Sequence, residues 1–401
     1  MESFVCLFCQ NSFSVNPFHT FCPNCHEPLL FKGTKKAKKF HQEKSHPLEI
    51  MRDFLPLEKV NHNLSLGEGN TPLIRLKNIE KKFGLPALFA KNETVNPTFS
   101  FKDRGTVVAI QRAAAFGIDK IGTVSTGNMA ASTAAYGARA GLKTLVLVKE
   151  DTPKEKLLSI GIHNPVIVKV EGDYGELFRK SLELGPKLGT YFMNSVDPFR
   201  IEGYKVTTFE IFLQLNNGPP DYIFVPVSAG GHLAGIIRAF QDLKEQGLIQ
   251  KYPQFVGVQA SGCSPLVQAF QKGQTRVQRI KKANTIAHAI SNPDPPAGNL
   301  LLRLIQMTGG SLISIADEKI LKAQRLLAEQ EGLYVQPASA TTLGGLIEWA
   351  KQNRLEPSQK VVLILTGSRL RGSRKTSITG NRIRQSLLSD LEETIRSAQF
   401  D

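Results

Sequence analysis

The sequence has no long hydrophobic run. Its most apolar stretches, TLVLV and VVLIL, have the length of a strand, whereas a helix that crosses a membrane needs about 20 apolar residues. The first residues, MESFVCLFCQ, also lack the basic region and apolar block of a secretory signal. We therefore expect a protein that does not span a membrane and that resides in the cytoplasm.

Acidic residues are scarce relative to basic ones. The chain has 50 Lys and Arg against 35 Asp and Glu, a formal charge of +15, and much of the excess lies in residues 32–44 and 368–385. Segment 32–44 contains one phenylalanine, Phe40, and segment 368–385 contains no Phe, Tyr or Trp, so neither forms the aromatic platform of a surface that stacks nucleic-acid bases. We interpret both segments as solvated and expect no nucleic-acid partner, although a basic protein would suit a small anionic substrate.

Cysteine is nearly absent beyond residue 25. Cys6, Cys9, Cys22 and Cys25 form two CxxC pairs separated by twelve residues, and Cys263 stands apart. Two such pairs predict a zinc ribbon, because four thiolates complete a tetrahedral shell and leave a closed, structural site. The stretch CPNCH also matches a haem attachment pattern, but that chemistry requires export and leaves the first pair unexplained. We interpret Cys263 as a small core residue.

The rest of the sequence alternates strand-length apolar runs with helical stretches, and we find no internal repeat. The predicted strands are ALFAKNE, IGTVST, TLVLVKE, VIVKVEG, YIFVPVSAG, QFVGVQAS and VVLILTGS. Apolar strands that alternate with helices predict an α/β fold, with parallel sheets covered by helices on both faces. In such sheets ligands bind at the carboxyl ends of the strands.

Two of these strands end in glycine-containing turns that open a helix. The turns are VSTGNMAAS at 124–132 and PVSAGGHLAG at 226–235. Backbone N–H groups at a helix N-terminus bind anions such as carboxylate or phosphate. The second turn matches neither the Walker pattern nor GxGxxG, and each turn considered separately is better interpreted as a plain strand-to-helix connection.

A lysine follows an aromatic and hydroxyl run in NPTFSFKDRG at 96–105. A lysine at a loop-to-helix junction is usually solvated. However, SFKDRG, STGN, the glycine loop at 228–232, YVQPASATTLGG and TG at 366–367 occur in an order that resembles the pyridoxal-phosphate enzymes of the tryptophan-synthase-β type, fold type II. The chain is similar in particular to the threonine synthase family, in the form that begins with a zinc ribbon.

The resemblance implies roles for the cofactor-binding residues. Lys102 would form the Schiff base with pyridoxal 5'-phosphate, which accounts for its place in the motif. Asn128 would bind the phenolic oxygen of the ring, and Thr366 would contact the pyridine nitrogen, where a hydroxyl favours elimination and replacement over transamination. The cofactor phosphate would be held by the glycine loop, consisting of Val227, Ser228, Ala229, Gly230, Gly231 and His232.

The resemblance also implies a substrate. Ser125 and Thr126 would bind its α-carboxylate. NSVDPFRIEGYK at 194–205 resembles the family's phosphate-binding stretch, and Asn194, Ser195 and Arg200 occupy the matching positions. Because a guanidinium matches the oxygens of phosphate, the interpretation favours a phosphorylated amino acid, and a reaction in which O-phospho-L-homoserine and water give L-threonine and phosphate. Without the other motifs, Arg200 would be read as a surface salt-bridging residue.

The same resemblance predicts the domain organisation. A zinc ribbon at 1–30 and a basic linker at 31–46 would precede a large cofactor-binding domain formed by residues 47–94 and 201–372. A smaller mobile domain would comprise residues 95–200, with the cofactor cleft between the two, and residues 373–401 would form a polar tail. The relatives are usually homodimers, so we expect a homodimer here.

Five residues depart from the family pattern. His232 follows a glycine loop that lacks an asparagine often assigned to the substrate phosphate, and Ser368 and Arg369 replace a His-Gly pair. Gln336 takes the place of a glutamate, and Met129 that of a small hydroxyl residue. None of the five changes the predicted cofactor chemistry, but each could alter which substrate binds.

Three alternatives therefore stay open at this point. A phosphoserine-using β-replacement enzyme of the cysteate-synthase kind would keep the phosphate-binding residues and use another nucleophile. A serine or threonine dehydratase would not need them. A nucleic-acid binder built on an inactive enzyme fold is opposed by the intact Lys102, Asn128 and Thr366.

Overall fold

The computed structural model describes residues 1–34, 37–370 and 383–398. The strands are β1 Ser3–Cys6, β2 Ser12–Ser14, β3 Leu29–Lys32, β4 Leu73–Arg75, β5 Ala87–Asn92, β6 Lys120–Val124, β7 Lys143–Lys149, β8 Val166–Val170, β9 Thr190–Phe192, β10 Tyr222–Pro226, β11 Gln254–Ala260, β12 Ser311–Ile315, β13 Lys360–Leu365 and β14 Ile383–Ser386. The α-helices are α1 Pro47–Ile50, α2 Lys77–Phe83, α3 Lys102–Ala115, α4 Asn128–Arg139, α5 Lys154–Gly161, α6 Tyr174–Leu188, α7 Pro198–Gln214, α8 Gly231–Glu245, α9 Pro265–Gln271, α10 Gly298–Thr308, α11 Asp317–Glu331, α12 Pro337–Gln352 and α13 Leu391–Arg396. Short 3-10 turns occupy Arg52–Phe54, His62–Leu64, Glu93–Val95 and His288–Ile290.

The strands form three sheets. A small antiparallel sheet has the order β2-β1-β3 and carries the N-terminal cysteines. A six-stranded sheet has the order β12-β11-β10-β13-β5-β4, and a five-stranded sheet has the order β14-β8-β7-β6-β9. Both larger sheets are parallel except for β4, which pairs antiparallel with β5 at an edge. The central strands are buried over nearly their whole length, so the predicted α/β class with two parallel sheets is confirmed.

Helix α7 was not predicted as a helix, because its first residues were interpreted as a phosphate-binding stretch. It begins with the sequence Asp197-Pro198, in which the aspartate side chain accepts a hydrogen bond from the Arg200 amide. An Asp cap followed by proline is a typical helix start. The helix packs between α3 and α8 and is buried from Pro198 to Phe212. It therefore forms part of the core beneath the lysine motif.

Glycine allows α3 and α7 to approach closely. A Cβ added to Gly203 would lie 2.3 Å from the carbonyl oxygen of Arg104, and one added to Gly105 would lie 2.6 Å from the ring of Tyr204. Both distances are shorter than any real contact of this kind, so a larger residue at either position would push the helices apart. Because Lys102 is the first residue of α3, this packing also fixes the position of Lys102 relative to α7.

Most strands of each larger sheet fall within the range of one predicted domain. Strands β6 to β9 fall within the range predicted for the smaller domain, and β5 and β10 to β13 fall within the range predicted for the larger one. Part of the predicted polar tail forms β14, which pairs with β8, and the short helix α13 follows it; residues 371–382 and 399–401 lie outside the described residues. The domain boundaries themselves stay predictions. Within the described ranges, no helix is long and apolar enough to cross a membrane.

Candidate active site

A cleft with a volume of about 1510 Å³ opens between the two larger sheets. The turns after β6, β10 and β13 meet in it at the carboxyl ends of the strands, as expected for a parallel sheet. Most of the residues predicted for the site line it: Lys102, Ser125, Thr126, Asn128, Ser195, Val227, Ser228, Ala229, Gly230, Gly231, His232 and Thr366. Ligand pockets usually have volumes of about 300–1000 Å³, so this cleft has room for a cofactor and a substrate together.

Lys102 lines the cleft beside aromatic rings. Its Nζ is 4.3 Å from the centroid of the Phe101 ring and 5.7 Å from that of Tyr204. Burial, with a smaller contribution from the positive charge of Arg200, lowers the pKa of Lys102 to about 7. A large fraction of the amine is therefore unprotonated near neutral pH. Such an amine can act as a nucleophile or as a proton acceptor.

The loop before α8 packs tightly against neighbouring backbone and leaves the first N–H groups of the helix uncapped. Gly230 has a φ of +98°, and a Cβ on it would lie 2.8 Å from the carbonyl oxygen of Ala297. A Cβ on Gly231 would lie 2.6 Å from the carbonyl oxygen of Ser195. No side chain caps the first turn of α8, so its N–H groups are available to an anion. These features fit the phosphate of a pyridoxal cofactor.

His232 is the second residue of α8 and is 8% exposed. Its ring stacks on Phe101 with centroids 3.8 Å apart and an interplanar angle of 21°. Neither ring nitrogen has a hydrogen-bond partner among the residues that the structure describes. Burial, together with the charges of Lys102 and Arg104, holds the pKa of His232 well below its ordinary value. The imidazole is therefore neutral, and it can donate one hydrogen bond and accept another.

Two side-chain pairs close the opposite wall. Asn128, the first residue of α4, donates from its amide to Gln336 at 3.1 Å, and Gln336 donates back at 3.3 Å. The Thr366 hydroxyl lies 3.0 Å from the hydroxyl of Ser339, which also accepts from the Gly367 amide. These contacts hold the amide and the hydroxyl in fixed positions at the ends of β6 and β13. The first could bind a phenolic oxygen and the second a pyridine nitrogen.

Asn194 and Arg200 are not among the described residues that line the cleft. Asn194 is 1% exposed, and its side chain accepts from the Val124 amide at 2.9 Å and donates to Ser181 at 3.1 Å. Arg200 is fully buried and donates to the Met193 carbonyl and to Thr133, each at 2.7 Å. Both side chains donate to or accept from neighbouring residues outside the cleft lining. This geometry therefore does not support a direct contact of either side chain with a substrate. Ser195 does line the cleft.

Several lining residues were not predicted. Tyr174 is partly exposed and donates from its hydroxyl to the Val124 carbonyl at 3.2 Å. Arg279 pairs with Asp173 at 2.9 Å across the opening of the cleft. Phe21 and His26 reach the cleft from the N-terminal sheet. Asp173 could have been found as a helix cap, but no local pattern indicates that the other residues face this cavity.

The four N-terminal cysteines form a compact cluster. Their sulfur atoms all lie within 4.8 Å of one another. The distance between the sulfurs of Cys6 and Cys25 is 3.4 Å, and that between Cys9 and Cys22 is 3.6 Å. A tetrahedral zinc site with bonds of about 2.3 Å would place its sulfurs about 3.8 Å apart. The cluster can therefore hold a metal ion without rearrangement of the chain.

Comparisons with known proteins agree with this geometry. The family model described as pyridoxal-phosphate dependent enzyme matches residues 64–367. The chain is 35% identical over 373 residues to threonine synthase of Methanocaldococcus jannaschii, covering 91% of this chain and 92% of that protein. It is also 35% identical over 326 residues to threonine synthase of Bacillus sp., covering 81% of this chain and 89% of that protein.

Solved structures with lower identity share the fold. Serine racemase of maize superimposes with a TM-score of 0.64 at 20% identity, covering 76% of this chain and 89% of that one. Threonine deaminase isoform 2 of Solanum lycopersicum gives 0.65 at 21% identity, covering 75% of this chain and 80% of that one. These likenesses establish the architecture around the cleft and carry no argument about the substrate.

Proposed function

Since this chain belongs to the pyridoxal-phosphate-dependent enzymes, and within them to the threonine synthase family, we propose that it converts O-phospho-L-homoserine and water into L-threonine and phosphate. The observation that carries the proposal is Lys102. This residue lines a large cleft, and its amine has a pKa of about 7. An uncapped helix N-terminus built for an anion lines the same cleft.

The residues around Lys102 could hold pyridoxal phosphate. The loop Ser228–Gly231 would bind the phosphate, Asn128 the phenolic oxygen and Thr366 the pyridine nitrogen, as the sequence predicts. When bound, the cofactor supplies an electron sink for the substrate's α-carbon. Lys102 would carry protons at the α- and β-carbons, and the rings of Phe101 and Tyr204 would keep bulk water away from its amine.

Ser125, Thr126 and Ser195 are the substrate-binding candidates that line the cleft. Ser125 and Thr126 would hold the α-carboxylate beside the N-terminus of α4, and Ser195 would contact the substrate phosphate. We assign Asn194 and Arg200 supporting roles. Asn194 fixes the end of β6, and Arg200 places a buried positive charge near Lys102. An anionic substrate favours a cleft with positive charge nearby.

The proposal is tested by following phosphate release from the cofactor-loaded protein. O-phospho-L-homoserine should give phosphate and L-threonine in equal amounts, with amino-acid products identified by mass spectrometry. O-phosphoserine with sulfite is the comparison. Release only from O-phosphoserine, and only when sulfite is present, would replace the proposal with the β-replacement reaction.

Several wider predictions go with this function. We propose that the cysteine cluster holds structural zinc, that the smaller domain closes on the substrate, and that the enzyme is a cytoplasmic homodimer. The four Sγ positions support zinc. The Arg279–Asp173 pair supports closure, because it joins the segment after α9 to the first turn of α6 across the cleft. Sedimentation and metal analysis of the purified protein would test the dimer and the zinc.

The low pKa of Lys102 predicts how cofactor attachment depends on pH. Only the unprotonated amine attacks the cofactor's aldehyde. The folded pKa of about 7 means that this fraction should rise about tenfold per pH unit below pH 7 and level off above it. A lysine with the ordinary pKa of about 10.4 would continue to gain up to pH 10. Stopped-flow absorbance of apoprotein mixed with pyridoxal phosphate measures the rate, and a continued rise above pH 8 would contradict the assignment.

A further inference from the structure

The N-terminal ribbon contributes to the wall of the active-site cleft. Phe21 and His26 line the same cavity as Lys102, although they lie more than 70 residues away from it in the sequence. Both belong to the second knuckle, residues 21–27, which contains Cys22 and Cys25. The ribbon is therefore not an appendage remote from the chemistry.

The knuckle contacts the part of the fold that carries the five-stranded sheet. The ring of Phe21 meets that of Phe178 on α6 edge-on, with centroids 6.3 Å apart and an interplanar angle of 81°. Phe178 itself lines the cleft. An edge-to-face pair contributes about 0.5–1.5 kcal/mol beyond the area that it buries. This contact therefore joins the ribbon to α6 at the cleft opening.

The knuckle also forms a hydrogen bond with α10. Glu27, which is 6% exposed, accepts a hydrogen bond from the Asn299 amide of α10 at 2.8 Å. The body of the ribbon packs on α7, where Phe4 and Phe31 lie 5.4 and 5.9 Å from the Phe199 ring. The ribbon is thus anchored to the helices around the six-stranded sheet and reaches across to α6.

The cysteines control where Phe21 and His26 point. Phe21 precedes Cys22 and His26 follows Cys25 in the chain, so a metal ion bound by these cysteines would fix the backbone at both residues. Backbone hydrogen bonds from the Cys22 amide to the Glu27 carbonyl and from the His26 amide to the Cys22 carbonyl close the turn. His26 has a φ of +59°, a conformation that a metal-bound knuckle can hold against its steric cost.

We propose that the knuckle at residues 21–27 is a wall of the substrate entrance, and that the four cysteines hold it against α6 when they bind a metal ion. The inference rests on the proposed function for the identity of the substrate. The wall would narrow the opening beside α6 and position the substrate above Lys102. It assigns the ribbon a role in substrate binding in addition to stability.

Phe21→Ala is the direct test, with Phe13→Ala as the matched control. Phe13 lies in β2 of the same ribbon and is partly buried, but it is not among the residues that line the cleft. We expect Phe21→Ala to raise KM for O-phospho-L-homoserine about tenfold, equivalent to about 1.4 kcal/mol, while kcat changes less than about twofold. The control should leave both unchanged, and equal KM values in the two variants would overturn the proposal.

A second readout does not depend on turnover. Acrylamide quenching of the bound cofactor's fluorescence reports how open the cleft is, and it should increase in Phe21→Ala and in parent protein stripped of metal by a chelator. His26→Asn, which tolerates a positive φ, should retain metal and show a smaller increase. If the parent fails to use O-phospho-L-homoserine but the quenching contrast is present, the proposed substrate fails and the wall stands. Unchanged quenching in all of these proteins would overturn the wall.

Discussion

Replacing Lys102 with alanine should reduce turnover by at least about 1000-fold, the upper part of the range for loss of a general acid or base. Lys102 is the lysine that lines the cleft in the described part of the chain, and its amine is the group with a pKa of about 7 there. Without that amine the cleft loses the group that we assign to accept and return the substrate's protons. Steady-state phosphate release measures the loss.

The covalent bond to the cofactor provides a separate measurement. Borohydride treatment of the loaded parent should add the mass of the reduced cofactor to the peptide that contains Lys102, and the variant should lack this adduct. Lys143→Ala is the control, since Lys143 is exposed and pairs with Asp119 at 3.8 Å away from the cleft. Both variants should retain the parent's circular dichroism spectrum. Retained turnover in Lys102→Ala would remove the basis of the proposed function.

The residues within short ordered motifs were the most predictable part of the site. Lys102, Asn128, Thr366 and the loop Ser228–Gly231 each stand in a short segment whose sequence order was informative. A parallel sheet brings the carboxyl ends of its strands to one edge, so segments far apart in the chain must meet. The structure confirms that these segments line one cleft, while the individual roles of their residues stay predictions.

Arg200 illustrates where prediction from sequence stopped. Its position after Asn194 and Ser195 indicated a place near the substrate, but the direction of its side chain depends on how α7 packs between α3 and α8. The helix turns the guanidinium towards Thr133 and the Met193 carbonyl. Spacing in a sequence can predict that a residue lies near a site. The orientation of a buried side chain, however, depends on the tertiary packing around it.

The proposed entrance wall at residues 21–27 could not be predicted from the sequence, for a different reason. The cysteine spacing predicts the knuckle itself, because a metal site is a local constraint on the chain. The contact between Phe21 and Phe178 joins residues more than 150 positions apart, and no periodicity or cap records it. Docking of one unit on another depends on the shapes of both surfaces.

A buried ionic cluster behind the lysine motif gives the largest stability prediction. Arg104 is 1% exposed; its guanidinium donates to Glu210 through Nη1 and Nη2 at 2.7 Å, and to Glu93 through Nη2 at 2.7 Å. Lys91 donates to Glu210 at 2.6 Å. Although burial would raise the pKa of Glu210, the charges of Arg104 and Lys91 lower it to about 2. The cluster joins β5, α3 and α7.

Arg104→Met should lower the free energy of unfolding by about 3–5 kcal/mol, because it leaves two buried carboxylates with one lysine between them. Arg75→Met, which removes an exposed pair with Glu80, should cost less than about 1 kcal/mol.

Glu210 has a depressed folded pKa, so its contribution to stability is complete above its ordinary pKa of about 4.3 and is lost as the pH falls towards 2. In Arg104→Met the carboxyls should protonate more readily, and the difference from the parent should therefore shrink below about pH 4. Urea denaturation at pH 7 and pH 3 measures both effects, and a difference that grows on acidification would show that charge in this cluster is not what stabilises α3 beneath Lys102.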